Sequence, residues 1–329
     1  MTTITLWDGA AIPRLGMGCW AIGGRFHAGG QELGWGEVDD GESIAAIRRA
    51  VDLGVRYFDT ADAYGTGHSE EILAKALGGV SEPIVVSTKF GNTFDRANRE
   101  LTGPSAEPAY VRQAIDGSLA RLKRDRLDLV FFHLNSYPVA DARPVFDTLA
   151  ELRVAGKIDA FGWSNDEVDG ARAFADMNGF VSVQYDMNLF RPAEAMSRFI
   201  EEENLIGVAR QPLAMGLLSG RFGRGGGGFS TTDIRAAGPE WLTYFVDGQP
   251  SPALLAKIDA IRDLITSDGR TVVQGALGWI WAKSPRVIPI PGFRTVAQVE
   301  ENVAALEKGP LPESVVTEID AVLAQPAAA

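Results

Sequence analysis

The sequence contains one cysteine and three histidines among 329 residues. Cys19 has no second thiol with which to form an intramolecular disulfide, and a zinc site built from cysteines is excluded. His27, His68 and His133 are too few to hold a metal ion without carboxylates, and none of them has metal-ligand spacing. We therefore predict no metal ion, and the isolated cysteine is typical of a reducing compartment or of a fold that is indifferent to redox state.

Basic residues are also in deficit, with 31 against 43 acidic residues and a formal net charge of -12 at pH 7. Such a charge repels nucleic acid and anionic lipid, so we expect neither as a partner. Every apolar run is shorter than the roughly 18 residues of a membrane span. The first residues, MTTITLWDGAAIP, lack the positive and apolar regions of a signal peptide. These absences predict a cytoplasmic protein.

From about residue 15 onward, short apolar runs alternate with longer amphipathic stretches. This alternation is typical of parallel strands covered by helices. The predicted strands are residues 15–20, 55–58, 84–88, 127–132, 158–163, 181–185, 206–211 and 287–290. Eight strand-helix units predict an α/β fold, a closed (β/α)8 TIM barrel, with residues 1–329 forming a single domain.

Three segments interrupt the alternation. Residues 4–15, ITLWDGAAIPRL, predict a hairpin with Asp8 and Gly9 at its turn that covers the bottom of the barrel. Residues 21–41 and 221–252 are too rich in glycine or too irregular for packed elements. We expect both to form long loops over the C-terminal face.

Polar residues end three consecutive predicted strands. Asp59 follows the second strand, Lys89 the third and His133 the fourth, and Tyr64 lies in the loop after Asp59. The carboxyl ends of barrel strands carry catalytic groups, so these side chains are expected to converge on one rim. Pairing would offset the cost of burying Lys89 and Asp59. A neighbouring ammonium lowers a phenol's pKa from about 10, which makes Tyr64 a candidate general acid.

Each of these residues also has a structural alternative. Asp59 could cap a turn with Thr60, and Lys89 could reach solvent past the strand end. His133 could be a rim histidine with satisfied hydrogen bonds. One shared site explains four such residue types at neighbouring positions better than four separate coincidences do.

The residues around these positions belong to an ordered series of motifs. In chain order they are GVRYFDTADAYGTGHSEEILAKAL, VVSTKF, LDLVFFH, IDAFGWSN, VQYDMNLF, PLAMGLLSGRF and VIPIPGFRTVAQVEENVAAL. In order and spacing the series resembles the aldo-keto reductase superfamily over nearly the whole chain. The resemblance implies an NADPH-dependent carbonyl reductase on a (β/α)8 barrel, as a monomer or weak homo-oligomer. It places the family's catalytic tetrad on Asp59, Tyr64, Lys89 and His133.

The mechanism implied by the resemblance is hydride transfer from NADPH to the carbonyl carbon of a small aldehyde, ketone or sugar. Tyr64 would protonate the developing alkoxide, Lys89 held by Asp59 would tune Tyr64, and His133 would orient the carbonyl. Two alternatives stay open. The chain could be an NADP- or NAD-dependent aldose or alcohol dehydrogenase, or a regulatory subunit that senses cofactor on the same fold.

The resemblance also implies cofactor contacts. Ser164, Asn165 and Gln184 match contacts to the nicotinamide carboxamide, and residues 212–219 match the loop along the pyrophosphate. Arg294 would lie opposite the 2′-phosphate and favour NADP over NAD; without the family, its segment is only a helix start with a charged face. The expected contacts are Trp20, Asp59, Ser164, Asn165, Gln184, Arg210, Gln211, Pro212, Leu213, Gly216, Leu217, Ser219, Gly292, Phe293, Arg294, Gln298, Glu301 and Asn302.

Arg210 departs from the family pattern. Many relatives have an aromatic residue there that stacks on the nicotinamide. A guanidinium can also stack, or it can pair with a phosphate or carboxylate of a ligand; equally, Arg210 could turn to a carboxylate of the protein. Five aromatic residues are candidates for pocket walls or for loop anchors, namely Trp20, Phe26, Tyr137, Trp241 and Tyr244.

Overall fold

The computed structural model describes residues 2–222 and 228–325. Its strands are β1 (Thr3–Thr5), β2 (Ala11–Pro13), β3 (Met17–Gly18), β4 (His27–Ala28), β5 (Gln31–Glu32), β6 (Tyr57–Asp59), β7 (Val85–Phe90), β8 (Asn92–Asp95), β9 (Glu100–Pro104), β10 (Leu127–Phe132), β11 (Ile158–Ser164), β12 (Phe180–Asp186), β13 (Ile206–Arg210), β14 (Phe245–Val246), β15 (Gln249–Pro250) and β16 (Val287–Pro289).

Helices connect most of the strands and cover the outside of the barrel. They are α1 (Asp40–Asp52), α2 (His68–Leu77), α3 (Pro108–Leu122), α4 (Arg143–Val154), α5 (Val168–Arg172), α6 (Glu194–Glu202), α7 (Ile234–Ala237), α8 (Pro252–Ile265), α9 (Val272–Lys283), α10 (Val296–Lys308) and α11 (Glu313–Leu323). The longer helices bury an apolar stripe, except that α9 is buried on nearly every side and begins with a capping box between Thr271 and Gln274. None of the described helices is long and apolar enough to cross a membrane.

Eight of the strands form the central parallel sheet, in the order β3, β6, β7, β10, β11, β12, β13, β16. A bridge between Gly18 and Gly292 brings its two edge strands together, so the barrel is nearly closed. The predicted TIM barrel is confirmed, and most strands lie within one or two residues of their predicted bounds. The first is shorter than predicted because only Met17 and Gly18 pair with the neighbouring β6.

The N-terminal hairpin is present as predicted. β1 and β2 pair in antiparallel register, and Asp8 accepts a hydrogen bond from the backbone N–H of Ala10 at 2.9 Å. Gly9 at the turn has φ +88°, a conformation that favours glycine. Ile4 and Ile12 are buried in one cluster with residues of the barrel interior. The hairpin therefore covers the end of the barrel opposite the site described below.

The expectation that residues 21–41 and 221–252 lack packed elements is wrong in part. β4 and β5 form a small hairpin that joins β9 and β8 in a four-stranded sheet. The second segment holds α7, β14 and β15, while residues 223–227, four of which are glycine, lie outside the described residues. The two segments pair with each other, since Ile234 N–H donates to the Gly34 carbonyl at 2.8 Å. Their pairing partners are distant in sequence, which local composition does not reveal.

Candidate active site

A cleft of about 950 Å³ opens at the carboxyl ends of the barrel strands. Asp59, Tyr64 and His133 line it together with residues that follow β11, β12, β13 and β16. Its volume lies at the upper end of the range of roughly 300–1,000 Å³ for small-molecule sites. The cleft is therefore large enough for a dinucleotide and a small substrate together.

Asp59 ends β6 and is almost fully buried. Its Oδ1 accepts hydrogen bonds from Ser87 Oγ at 2.7 Å and from Gln184 Nε2 at 2.8 Å. Its Oδ2 accepts from Lys89 Nζ at 2.6 Å. Three donors from two other strands, β7 and β12, thus fix the carboxylate, which is more than capping a turn with Thr60 requires.

Lys89 lies in β7 and has no solvent exposure, so the alternative in which it reaches solvent is wrong. Its Nζ donates to Asp59 and, at 2.6 Å, to the carbonyl of Thr60; it also lies 3.3 Å from Tyr64 Oη. Burial by itself lowers the pKa of Lys89, but Asp59 and Tyr64 outweigh it and the pKa is raised. The ammonium is therefore charged at neutral pH.

Tyr64 lies in the loop between β6 and α2, with its hydroxyl beside Lys89. Burial raises the pKa of Tyr64 more than Lys89 lowers it, so the pKa is raised. The expected net lowering is wrong because the cost of desolvating a phenolate exceeds the gain from one ammonium. The phenol consequently keeps its proton at neutral pH, which suits a group that donates one.

His133 follows β10, where its backbone N–H donates to the Phe90 carbonyl at 2.7 Å. Its ring meets that of Tyr64 edge to face, with 6.0 Å between the centroids. Burial, then Lys89, then Arg210 hold the pKa of His133 well below its usual value, so the imidazole is neutral. Its Nδ1 is buried and has no partner among the described residues. His133 is therefore not a rim histidine with satisfied hydrogen bonds.

Aromatic rings line the cleft next to Tyr64. Trp20 stacks on Tyr64 with 5.7 Å between centroids and 15° between planes, and Trp241 stacks on Trp20 at 6.4 Å. Phe26 also lines the cleft. By contrast, Tyr137 packs on Phe132 at 5.2 Å, and Tyr244 accepts a hydrogen bond from Asn188 at 2.8 Å. Trp20, Phe26 and Trp241 are therefore pocket walls, whereas Tyr137 and Tyr244 are loop anchors.

Most of the expected cofactor contacts lie on the same cleft. Those that line it are Trp20, Asp59, Gln184, Arg210, Gln211, Pro212, Leu213, Gly216, Ser219, Gly292, Phe293, Arg294, Gln298, Glu301 and Asn302. Ser164, Asn165 and Leu217 are buried behind it. Ser164 Oγ is held 3.4 Å from Asn135 Nδ2, and Asn165 Oδ1 accepts from the backbone N–H of Glu167 at 2.6 Å.

The turn into α10 forms another part of the cleft wall. The Arg294 guanidinium donates to the carbonyl of Trp35, at 3.1 Å, and to that of Glu37. The Arg294 backbone N–H donates to Gln298 Oε1 at 2.7 Å. Asn302 is 3% exposed and its Nδ2 has no hydrogen-bond partner within the described ranges. A buried amide of this kind is a ready donor to a ligand.

Arg210 ends β13, and its guanidinium donates to the Asp166 carboxylate. Of the alternatives for Arg210, pairing with a carboxylate of the protein is therefore the one observed. Sequence reasoning missed three charged residues around it, Asp166, Asp186 and Arg191, all of which line the cleft. Asp186 ends β12 as Asp59 ends β6. Examining the last polar residue of every strand, instead of only three, would have found it.

No group of three or more histidine, cysteine, aspartate or glutamate side chains in residues 2–222 and 228–325 is arranged to hold a metal ion.

Known proteins resemble this chain over almost its full length. An uncharacterized oxidoreductase of Mycobacterium tuberculosis is 33% identical over 303 residues, which are 90% of this chain and 85% of that protein. The aldo-keto reductase yakc [NADP(+)] of Schizosaccharomyces pombe is 29% identical over 315 residues, covering 94% and 87%. The structure of a glycerol dehydrogenase from Gluconobacter oxydans matches with a TM-score of 0.81 and 29% identity, covering 98% and 95%. The family model described as "Aldo/keto reductase family" matches residues 14–324, and the chain therefore belongs to the aldo/keto reductase family.

Proposed function

We propose that this oxidoreductase transfers a hydride between NADPH and the carbonyl of a small aldehyde, ketone or sugar, with Tyr64 as the general acid. The observation that carries the proposal is the buried ammonium of Lys89 between Asp59 and the Tyr64 hydroxyl. A phenol that is neutral at rest and lies beside a fixed cation can give up its proton when negative charge develops on a carbonyl oxygen.

The described residues fit an NADP cofactor. The unpartnered Asn302 amide and the Arg294 guanidinium line the same cleft as Tyr64. A related protein, yakc of Schizosaccharomyces pombe, carries NADP(+) in its name. When bound, NADPH supplies the hydride that reduces the carbonyl carbon.

The protein residues then complete the alcohol. Tyr64 Oη donates its proton to the carbonyl oxygen, and the phenolate that remains is stabilised by Lys89. The neutral imidazole of His133, which lines the cleft, orients the carbonyl. Asp59 keeps Lys89 in place.

A second candidate is the reverse reaction, the oxidation of an alcohol or aldose with NADP or NAD. The match to a glycerol dehydrogenase favours it. In that direction Tyr64 must first lose its proton, and its raised pKa makes this harder at neutral pH. We therefore propose carbonyl reduction as the main direction near neutral pH.

The experiment is to follow NADPH oxidation with a panel of aldehydes, ketones and aldoses, and NADP or NAD reduction with glycerol and aldoses. The proposal predicts turnover with NADPH and at least one small carbonyl compound. Tight NADPH binding without turnover in either direction, together with a co-purifying protein, would instead support a regulatory subunit. We further propose a monomer or weak homo-oligomer in the cytoplasm.

A further inference from the structure

Two asparagines line the cleft just beyond the ends of neighbouring barrel strands. Asn92 lies two residues after the end of β7, and Asn135 lies three residues after the end of β10. These strands pair in parallel register, and the His133 backbone N–H donates to the Phe90 carbonyl at 2.7 Å. A Cβ atom on Gly91 would come within 3.3 Å of the His133 carbonyl carbon. The two turns that carry the asparagines are therefore packed together beside His133.

Neither asparagine amide is saturated with hydrogen bonds. The Tyr110 hydroxyl donates to the backbone carbonyl of Asn92, while the Asn92 amide has no partner within residues 2–222 and 228–325. The Asn135 amide makes one long contact there, from Nδ2 to Ser164 Oγ at 3.4 Å. By contrast, Asn188 Nδ2 lies within hydrogen-bond distance of three oxygen atoms, and its Oδ1 accepts from a backbone N–H. Asn188 is saturated as a structural amide is, whereas Asn92 and Asn135 keep capacity for a ligand.

Apolar side chains accompany the two amides in the cleft lining. Phe26 precedes β4, and Leu101 lies in β9, the strand that joins β4 to β8. Both residues line the cleft, and so does Trp241 from the second inserted segment. A pocket that combines an apolar lining with a few convergent polar groups orients its ligand through those polar groups. This lining suits a short carbon chain that carries a polar group close to its carbonyl.

The chemistry of an amide indicates which polar group that is. An amide offers a donor and an acceptor, and a hydroxyl group can use both. A carboxylate would use only the donors of the two amides, and an ammonium group would use only their acceptors. The amides are also uncharged, so they give no preference to an ion.

We propose that Asn92 and Asn135 form a hydroxyl-binding subsite of the substrate pocket, so that the preferred substrates are small α-hydroxy aldehydes and ketones. The carbonyl oxygen is expected at Tyr64 and His133. Because the turns that carry both amides pack beside His133, the amides are placed to bind a hydroxyl group on the carbon next to the carbonyl. This inference rests on the proposed reductase function.

The test compares matched carbonyl compounds, hydroxyacetone against acetone and glyceraldehyde against propanal. The quantity measured is the ratio of kcat/KM for the hydroxylated and the unhydroxylated member of each pair, with saturating NADPH. Two neutral hydrogen bonds of ordinary strength predict a wild-type ratio of roughly ten. A ratio at or below one for both pairs would overturn the subsite.

Leucine variants separate hydrogen bonding from the intrinsic reactivity of the compounds. Asn92→Leu and Asn135→Leu should each lower the ratio by about threefold to tenfold, because only the hydroxylated member loses a hydrogen bond. Asn98→Leu is the matched control and should leave the ratio unchanged, since Asn98 lies between β8 and β9 and outside the cleft lining. Equal losses for both members of a pair, or weaker NADPH binding by Asn135→Leu, would show a structural or cofactor role and overturn the subsite.

A binding measurement distinguishes this inference from the proposed function. Erythritol carries hydroxyl groups on adjacent carbons and has no carbonyl, so NADPH cannot reduce it. Calorimetric titration of the protein–NADPH complex should detect erythritol binding that is at least about threefold weaker in Asn135→Leu and unchanged in Asn98→Leu. Absence of turnover with every carbonyl compound would overturn the reductase proposal, while this titration would still test the subsite. Equal erythritol affinity in the wild type and Asn135→Leu would contradict the role given to the amides.

Discussion

Lys89 and Asp59 form an ion pair with 2.6 Å between Nζ and Oδ2, and both side chains are almost completely removed from solvent. A buried pair of this kind is weak evidence for stability, because desolvation offsets the attraction between the charges. Its geometry does have a chemical consequence. The pair keeps a permanent cation 3.3 Å from the Tyr64 hydroxyl.

Replacing Asp59 with asparagine should destabilise the protein strongly. Loss of one partner from a buried ion pair leaves the other charge uncompensated, which typically costs about 3–5 kcal/mol. Ser87→Ala is the matched control because it removes a single hydrogen bond to the same carboxylate. That change should cost only about 1 kcal/mol. Denaturant unfolding measures both, and equal losses in the two variants would contradict a structural role for the pair.

The reduction reaction should be insensitive to pH around neutrality. The pKa of Tyr64 is raised and that of His133 lies well below its usual value. Neither group therefore changes protonation between about pH 6 and pH 9, given unperturbed values of about 10 and 6.5. The measurement is kcat/KM for carbonyl reduction across this range. A decline in kcat/KM with a midpoint near pH 7 would show that the direction of the pKa shift of Tyr64 or of His133 is wrong.

Trp20 should matter more for substrate binding than Trp241. Trp20 stacks directly on Tyr64, whereas Trp241 stacks on Trp20 and is 47% exposed. An aromatic pair contributes about 0.5–1.5 kcal/mol beyond its buried area. We expect Trp20→Ala to raise the KM for the carbonyl substrate by roughly tenfold, and Trp20→Phe to keep most of the wild-type affinity. Trp241→Ala is the control, and a larger effect there than at Trp20 would contradict the proposed wall.

The convergence of the candidate catalytic residues could be predicted because (β/α)8 barrels bring the carboxyl ends of their strands together on one rim. The carboxyl ends of β6, β7 and β10 meet on one rim, so the polar residues at or after those ends, Asp59, Lys89 and His133, come together. The pKa of Tyr64 could not be predicted in the same way. Its direction depends on how deeply the fold buries the phenol, and burial is a tertiary quantity that the local sequence does not contain.

The two inserted segments show a similar limit. The glycines in residues 21–41 suggested irregular loops, yet Gly29 and Gly30 form the turn between β4 and β5. That hairpin is ordered by pairing with β9, about seventy residues away in the chain. Likewise, nothing near Arg294 in the sequence indicates that its guanidinium binds the carbonyls of Trp35 and Glu37.

Arg294→Gln should loosen the first inserted segment as well as weaken cofactor selectivity. The variant loses the guanidinium that joins residues 35 and 37 to the turn before α10. Hydrogen exchange should accelerate at residues 33–38, and the preference for NADPH over NADH in direct binding should fall. Arg49→Gln removes an exposed arginine paired with Glu300 on α10 and serves as the control. Unchanged exchange in Arg294→Gln would rule out the anchoring role.

The central claim is that Tyr64 donates the proton during carbonyl reduction, and Tyr64→Phe tests it most directly. The change removes one hydroxyl and keeps the ring that packs on Trp20 and His133. NADPH affinity, measured by fluorescence titration, should stay within about threefold of the wild type, a change of less than about 1 kcal/mol, because the substitution leaves every residue expected to contact the cofactor in place. Turnover should fall by roughly 10²-fold or more, the usual contribution of a general acid. Turnover close to the wild-type rate in Tyr64→Phe would contradict the account.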